Sequence, residues 1–316
     1  MRKTKIIIAG IGGVGGYFGG LLAKKYYNSA NVEINFVARG ENLEAIKKDG
    51  LKVIKGTTEF IATPNIATNK PHEIGIADYI IVSCKSFDLE NIISELKPAI
   101  DEHTLILPLL NGVDSKERIK KLLPDNTVAD GCVYIVSRLT APGIVENSGN
   151  IQTLYFGIQD TENEKLNLLE DVFKDAEIEA TLSKNINAII WEKFIFISTT
   201  ATATSCFNNC IGELLNNNEK LKVITDLIEE VKQIALKKGI KVSESIAEIT
   251  LKKLKALPFE TTSSMHSDFK NKKKTTELES LTGYILKEGI KLNITTPTFE
   301  SCYQKIKKLY TSIQRY

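Results

Sequence analysis

Four glycines in six residues, Gly10-Ile11-Gly12-Gly13-Val14-Gly15, are the first place where chemistry is legible in the chain. The GxGxxG spacing suits a phosphate cradle. Gly10 allows a tight turn, Gly12 lets the backbone approach a pyrophosphate, and Gly15 lets a helix pack closely on a strand. The N–H groups that open the helix then face the anion. An NAD-type site carries an Asp or Glu about 20 residues on, which binds the ribose 2′-hydroxyl. Here the segment Ile34-Asn35-Phe36-Val37-Ala38 leads into Arg39 instead. A carboxylate would repel a 2′-phosphate, whereas a guanidinium grips it with paired hydrogen bonds. The expected cofactor is NADP(H). Two further polar residues follow apolar runs: Lys85 after Ile81-Val82-Ser83-Cys84, and Asn111 within Pro108-Leu109-Leu110-Asn111-Gly112. Open α/β sheets bind ligands beyond the carboxyl ends of their strands, so the pair brings a cation and an amide to the expected nicotinamide end. Singly, each reads equally as a solvated lysine or a turn asparagine.

These residues need elements to hold them. Lys5–Gly10 is a continuous apolar run, as a strand covered on both faces requires, and Phe18, Leu21 and Leu22 then recur at helical spacing. Glu33–Ala38, Tyr79–Ser83 and Thr104–Leu107 read as further strands. Leu89, Ile92, Ile93 and Leu96 trace a helical stripe, and a polar helix is expected over 114–122. Alternating β and α elements predict a parallel sheet with crossover helices. From about Thr127 the texture is β-rich, with strands expected at Val128–Val136, Gly143–Asn147 and Gln152–Phe156. A helix near 162–173 and a strand near 177–182 complete this half. Beyond residue 185 strand signals nearly vanish. Leu221, Ile224, Leu227, Ile228, Val231 and Ile234 form an amphipathic helix stopped by Gly239, and Ser243 opens another that ends before Pro258. The expected domains are an α/β dinucleotide-binding unit over 1–184 and an all-α unit over 185–316.

Taken in order, these motifs resemble the ketopantoate reductase (2-dehydropantoate 2-reductase) family. The resemblance spans almost the whole chain. Its stations are GxGxxG, Arg39, Lys85 and Leu110-Asn111-Gly112. They continue through Ala141-Pro142-Gly143-Ile144-Val145-Glu146, Trp191-Glu192-Lys193-Phe194 and Ser263-Ser264-Met265-His266-Ser267-Asp268 to Thr276-Glu277 with Gly283 beyond. The resemblance implies a Rossmann-type N-terminal domain and an all-α C-terminal domain like that of 6-phosphogluconate dehydrogenase. It implies that Lys193 is the general acid, that Glu277 assists it, and that Ser264 binds the substrate carboxylate. Lys85 and Asn111 then lie at the nicotinamide ribose and substrate. The activity implied is NADPH-dependent reduction of a 2-oxoacid, ketopantoate to pantoate in pantothenate biosynthesis. The residue types suit that chemistry, since a cationic lysine stabilises a developing alkoxide and donates the proton a ketone reduction needs. Apolar neighbours Ile189, Ile190, Trp191, Phe194 and Ile195 surround it; the plain alternative is a lysine snorkelling from an amphipathic face. Thr276 and Glu279 have capping-box spacing, which sets Glu277 in a first helical turn and makes Glu279 the reserve carboxylate.

The departures are informative. Family members carry asparagines four and eight residues after the lysine, where this chain has Ile197 and Ala201; Ser198, Thr199 or Thr200 are the nearby substitutes. Asn147 stands where a histidine is common. Losing hydrogen bonds to a polar substrate costs orders of magnitude in discrimination, so a different 2-oxoacid, or an NADPH-binding sensor without turnover, are the alternative readings. A short-chain dehydrogenase would need Tyr-xxx-Lys; Tyr303 and Lys307 have that spacing but sit in the final helix.

Composition sets outer bounds. Lys plus Arg is 41 against 39 for Asp plus Glu, a balance that argues against a nucleic-acid partner. Five scattered cysteines and three histidines form no metal-ligand pattern, so no metal site is expected and reduced thiols are. No apolar run reaches the roughly 18 residues that span a bilayer. The basic start before Ile6-Ile7-Ile8 reads as a buried strand rather than a leader, because glycines interrupt the apolar stretch at once. A cytoplasmic protein with a small-molecule 2-oxoacid partner is expected, and the helical half offers faces for a homodimer.

Overall fold

The computed structural model describes residues 2–313, which divide into two compact units, one running to Ile186 and the other from Asn187 onwards. The first unit contains β1 (Thr4–Ala9), α1 (Gly13–Lys25), β2 (Val32–Val37), α2 (Gly40–Asp49), β3 (Leu51–Lys55), β4 (Thr58–Ala62) and β5 (Ile66–Thr68). It continues with β6 (Tyr79–Val82), α3 (Leu89–Leu96), β7 (Leu105–Pro108), α4 (Ser115–Leu122), β8 (Asp130–Ala141), β9 (Ile144–Gly157), α5 (Glu164–Asp175) and β10 (Ala180–Leu182). Five strands form a wholly parallel sheet in the order β5-β2-β1-β6-β7. Ile6 and Ile8 of β1 pack into one core with Tyr17, Phe18 and Phe36. Ile7 and Ala9 pack into another with Val37, Ile80 and Ile93. Successive side chains leave opposite faces of a strand, so a sheet covered twice demands the apolar continuity seen in β1.

Apart from a single parallel bridge between Val128 and Ile106 of β7, the β-rich stretch after Thr127 does not extend that sheet. It builds a second, mixed sheet in the order β10-β9-β3-β4, with β8 antiparallel to β9. The two strands expected at Gly143–Asn147 and Gln152–Phe156 are one long strand, β9. Its pairing with β8 shifts register between Ile135 and Ser137 and again between Leu139 and Ala141. Helix α1 is wedged between the sheets. A Cβ on Gly15 would lie 2.2 Å from the Gly10 carbonyl oxygen on the parallel-sheet side. One on Gly13 would lie 2.3 Å from the Ser137 carbonyl oxygen, and one on Gly20 2.5 Å from Val53. Close approach, not chain flexibility, dictates glycine at these positions.

The second unit is all-α: α6 (Ile186–Phe207), α7 (Ile211–Leu215), α8 (Asn218–Lys237), α9 (Ile246–Lys255), α10 (Ser264–Lys270), α11 (Leu278–Leu292) and α12 (Pro297–Ile313). The run Ser198–Cys206 of α6 is buried throughout, although most of its residues carry hydroxyls. Ser198, Thr200 and Thr204 satisfy theirs by donating to carbonyls one turn back, at 2.6, 2.6 and 2.7 Å. Gly239 sits at φ +75 just past α8, in the left-handed position expected of it. Ser243 lies ahead of α9 rather than within it; its N–H donates to the Glu192 carboxylate at 3.2 Å. Glu230 of α8 caps α12, accepting from Thr298 N at 2.7 Å and Phe299 N at 3.0 Å. No helix among the described residues is long and apolar enough to cross a membrane.

Candidate active site

Parallel strands send every following loop to one edge of the sheet, and that edge gathers the residues singled out in the first unit. Gly10, at φ +92, turns the chain off β1 and lies against the Ser83–Cys84 peptide at the end of β6, where a Cβ would come within 3.0 Å. Lys85 therefore follows directly beside the glycine loop, and Asn111 follows β7, the next strand over. Helix α1 has Gly12 as its N-cap, with no side-chain cap and no acidic residue in its first turn. Its leading N–H groups and positive dipole end are left for an anion. A Cβ on Gly12 would meet nothing within 4 Å, unlike one on Gly13 or Gly15. The glycine loop thus fits a pyrophosphate: it leaves the head of α1 uncapped, with open space on the Cβ side of the one glycine in it that packing does not require. Burial pushes the neighbouring Cys84 thiol up to about 12, which keeps it protonated near neutrality.

Arg39 caps the start of α2 at the end of β2, with its side chain about half exposed. Its guanidinium is engaged by Glu95 at 2.6 Å and Asp88 at 3.5 Å. Two residues absent from the motifs hold this edge together. Asn42 donates to the Ile11 carbonyl at 2.8 Å and accepts from Gly143 N at 2.8 Å, tying the glycine loop to the β8–β9 turn. Arg118 of α4 donates to both Glu90 oxygens at 2.7 Å, to Ser86 Oγ at 3.0 Å and to the Ser86 carbonyl at 2.7 Å. It also lies 3.7 Å from Asp114, just beyond Asn111. One side chain so links the loop bearing Lys85 to the loop bearing Asn111. The Glu90 hydrogen bonds push Arg118 further up, and Glu90 in turn is held below the usual carboxylate range, first by Arg118.

In the second unit Lys193 is half-buried on α6, between Trp191 and Phe194. The rings of Trp191 and Phe194 meet edge-on at 5.7 Å, and Tyr284 of α11 closes the cluster at 5.6 Å from Phe194. Farther along, Thr202 and Thr282 share a buried hydroxyl–hydroxyl bond of 2.8 Å. The helix carrying Lys193 is thereby fixed to the helix that Glu277 heads. Glu277 is buried and is the N-cap residue of α11, not part of its first turn. The expected capping box does not form. Thr276 Oγ1 accepts from Leu278 N, at 3.4 Å, while Glu279 turns outward to Tyr303 at 2.5 Å and Lys287 at 3.4 Å. Glu279 is committed on the surface, whereas Glu277 is buried. Ser263 caps α10, bonding His266 N at 3.0 Å and Thr204 Oγ1 at 2.8 Å; Ser264 beside it is exposed. Tyr303 and Lys307 do touch, at 3.5 Å, but the Glu279 bond pushes the tyrosine up to about 12, the wrong direction for an acid. At the positions of the family asparagines, Ala201 is buried and Ile197 partly so. Thr199, one of the nearby substitutes, is fully buried.

A parallel-sheet unit with a glycine turn at its carboxyl edge, followed by an all-α unit, defines a class of two-part dinucleotide-dependent oxidoreductases. Two family descriptions match the chain: Ketopantoate reductase PanE/ApbA over residues 6–160, and Ketopantoate reductase PanE/ApbA C terminal over residues 185–310. The chain belongs to the ketopantoate reductase family; it is an oxidoreductase acting on CH–OH groups, a 2-oxoacid reductase by family. It is 28% identical to the Bacillus subtilis protein named uncharacterized oxidoreductase YkpB, over 96% of this chain and 98% of that one. The crystal structure of 2-dehydropantoate 2-reductase from Porphyromonas gingivalis W83 superposes with a TM-score of 0.84 at 34% identity. That match covers 96% of this chain and 99% of the other. The ternary structure of D-mandelate dehydrogenase with NADH and anilino(oxo)acetate shares the fold, with a TM-score of 0.85 at 23% identity over 98% and 99% of the two chains.

Proposed function

We propose that the protein reduces a 2-oxoacid to the 2-hydroxyacid with NADPH, ketopantoate being the first substrate to test. The observation that carries this reading is the anion-ready turn at the head of α1, uncapped and free of carboxylates, in a chain whose second unit carries Lys193 on the helix that the Trp191, Phe194 and Tyr284 rings anchor. Gly10 to Gly15 bind the pyrophosphate through backbone N–H groups, and Arg39 binds the 2′-phosphate. Lys85 and Asn111 orient the nicotinamide ribose and the substrate. When bound, the dinucleotide supplies a hydride to the carbonyl carbon. Lys193 stabilises the charge that builds on the carbonyl oxygen and gives that oxygen its proton. Glu277 orients the lysine ammonium or a substrate hydroxyl, and Ser264 holds the carboxylate. Following NADPH oxidation with ketopantoate and a panel of other 2-oxoacids tests the reading; no turnover on any of them contradicts it.

A second reading of the substrate rests on α6. The hydroxyl protons of Ser198 and Thr200 are spent on their own helix and Thr199 is fully buried, so none of the three presents an exposed donor in place of the amides that asparagines at 197 and 201 would bring. This favours a 2-oxoacid with a more apolar side chain than ketopantoate. A higher kcat/KM for such an acid than for ketopantoate in the same panel supports it, and the reverse order contradicts it.

A further inference from the structure

The partners of Arg39 come from across the sheet. Arg39 ends β2, whereas Asp88 and Glu95 belong to the segment that leaves β6, and β1 with its glycine turn lies between those two strands. An arginine at this position with no nearby carboxylate would wait for a phosphate with its charge unopposed. This one is already paired twice, and one of the bonds is as short as a charge-assisted bond becomes. We infer that Asp88 and Glu95 act as resident counter-ions that a 2′-phosphate must displace, so that they set how strongly the protein discriminates between dinucleotides with and without that phosphate. The inference rests on the cofactor role proposed for Arg39.

The physical basis is competition. A phosphate monoester carries about −1.5 to −2 charge near neutrality, so it outbids either carboxylate for the guanidinium, yet it also meets both of them as like charges. A dinucleotide with a bare 2′-hydroxyl need not break the pairs and feels little of that repulsion. The carboxylates therefore weaken binding of the phosphorylated cofactor selectively. Each pair is half exposed, with side chains of Arg39 and Glu95 at 47% and 48% relative exposure, so each effect is modest.

The test is a binding titration, independent of turnover, of NADP⁺ and NAD⁺ with the wild type, Glu95→Gln, Asp88→Asn with Glu95→Gln, and Arg39→Ala. For the double variant the expected result is NADP⁺ tightening by about three- to ten-fold, summed from two exposed pairs, with NAD⁺ changed less than about two-fold. NADP⁺ affinity that is unchanged or weaker in the double variant, while Arg39→Ala binds NADP⁺ more weakly than the wild type, overturns this inference and leaves the cofactor reading standing. Equal tightening of both dinucleotides overturns it as well. An Arg39→Ala protein that binds NADP⁺ like the wild type removes the cofactor role of Arg39 and this inference together.

Discussion

Glycines one turn apart in a single motif answer to different forces. Gly15 is fixed by packing: a methyl there would overlap the Gly10 carbonyl, so Gly15→Ala is expected to cost about 1–3 kcal/mol by overpacking, read as a lower urea midpoint. Gly12 has open space on its Cβ side, so Gly12→Ala should fold with an unchanged midpoint yet bind NADPH at least ten-fold more weakly. A stable Gly15→Ala, or a Gly12→Ala with normal NADPH affinity, contradicts this division. Arg39→Asp replaces attraction by repulsion at the 2′-phosphate, and the ratio of kcat/KM with NADPH to that with NADH should fall below one. Equal use of the two cofactors by the wild type contradicts the role given to Arg39. The glycine loop, Arg39, Lys85 and Asn111 were legible because each ends a strand whose apolar run is visible locally. Arg118 and Asn42 were not, because their partners Ser86, Ile11 and Gly143 lie far off in the chain and no local pattern announces such a contact.

At the level of elements, strands buried on both faces write themselves plainly, and β1, β2, β6 and β7 lie within a residue or two of the runs that predict them. Helix α2 buries only Leu43 and Ile46, too few to make a stripe. The β3–β4 hairpin mixes lysines and apolar residues, and β3 finds its parallel partner in β9, from Lys52 opposite Ile144 onwards. Such a pairing is a tertiary fact that propensity does not carry. The failed capping box shows the converse. Thr276 and Glu279 have the right spacing, but Tyr303 and Lys287 take the glutamate and the helix begins at Leu278. Arg118 makes the testable claim at this scale, as the link between the loops that follow β6 and β7. Arg118→Ala is expected to raise KM for NADPH several-fold more than it lowers kcat, and to destabilise by about 1–3 kcal/mol as charged hydrogen bonds are lost. Arg118→Lys should recover little of this, since an ammonium cannot make the paired contact with Glu90. Full recovery by lysine, or an unchanged KM, would count against the link.

For the whole molecule, charge pairing sets an acid limit. Glu90, Glu170 and Glu213 are held below the ordinary carboxylate range, first by hydrogen bonds from Arg118, Lys174 and Asn209 respectively. A depressed folded value means stability that is present above the unfolded value and is lost as pH falls through the folded one. Burial raises Asp114 and Asp130, which take up protons more readily when folded and so offset part of that loss. The urea midpoint should therefore begin to fall below about pH 4.5, and less steeply in Glu90→Gln. A midpoint that stays level or rises from pH 5 to pH 3 contradicts this balance. In the proposed reaction the first unit holds the reductant and Lys193 of the second supplies the proton. Lys193→Ala tests that division most directly, with NADPH binding and single-turnover reduction of the best 2-oxoacid measured on the same protein. The expected result is an unchanged Kd for NADPH with reduction slowed by about 10²- to 10⁴-fold, the range of a lost general acid; reduction at the wild-type rate would contradict it.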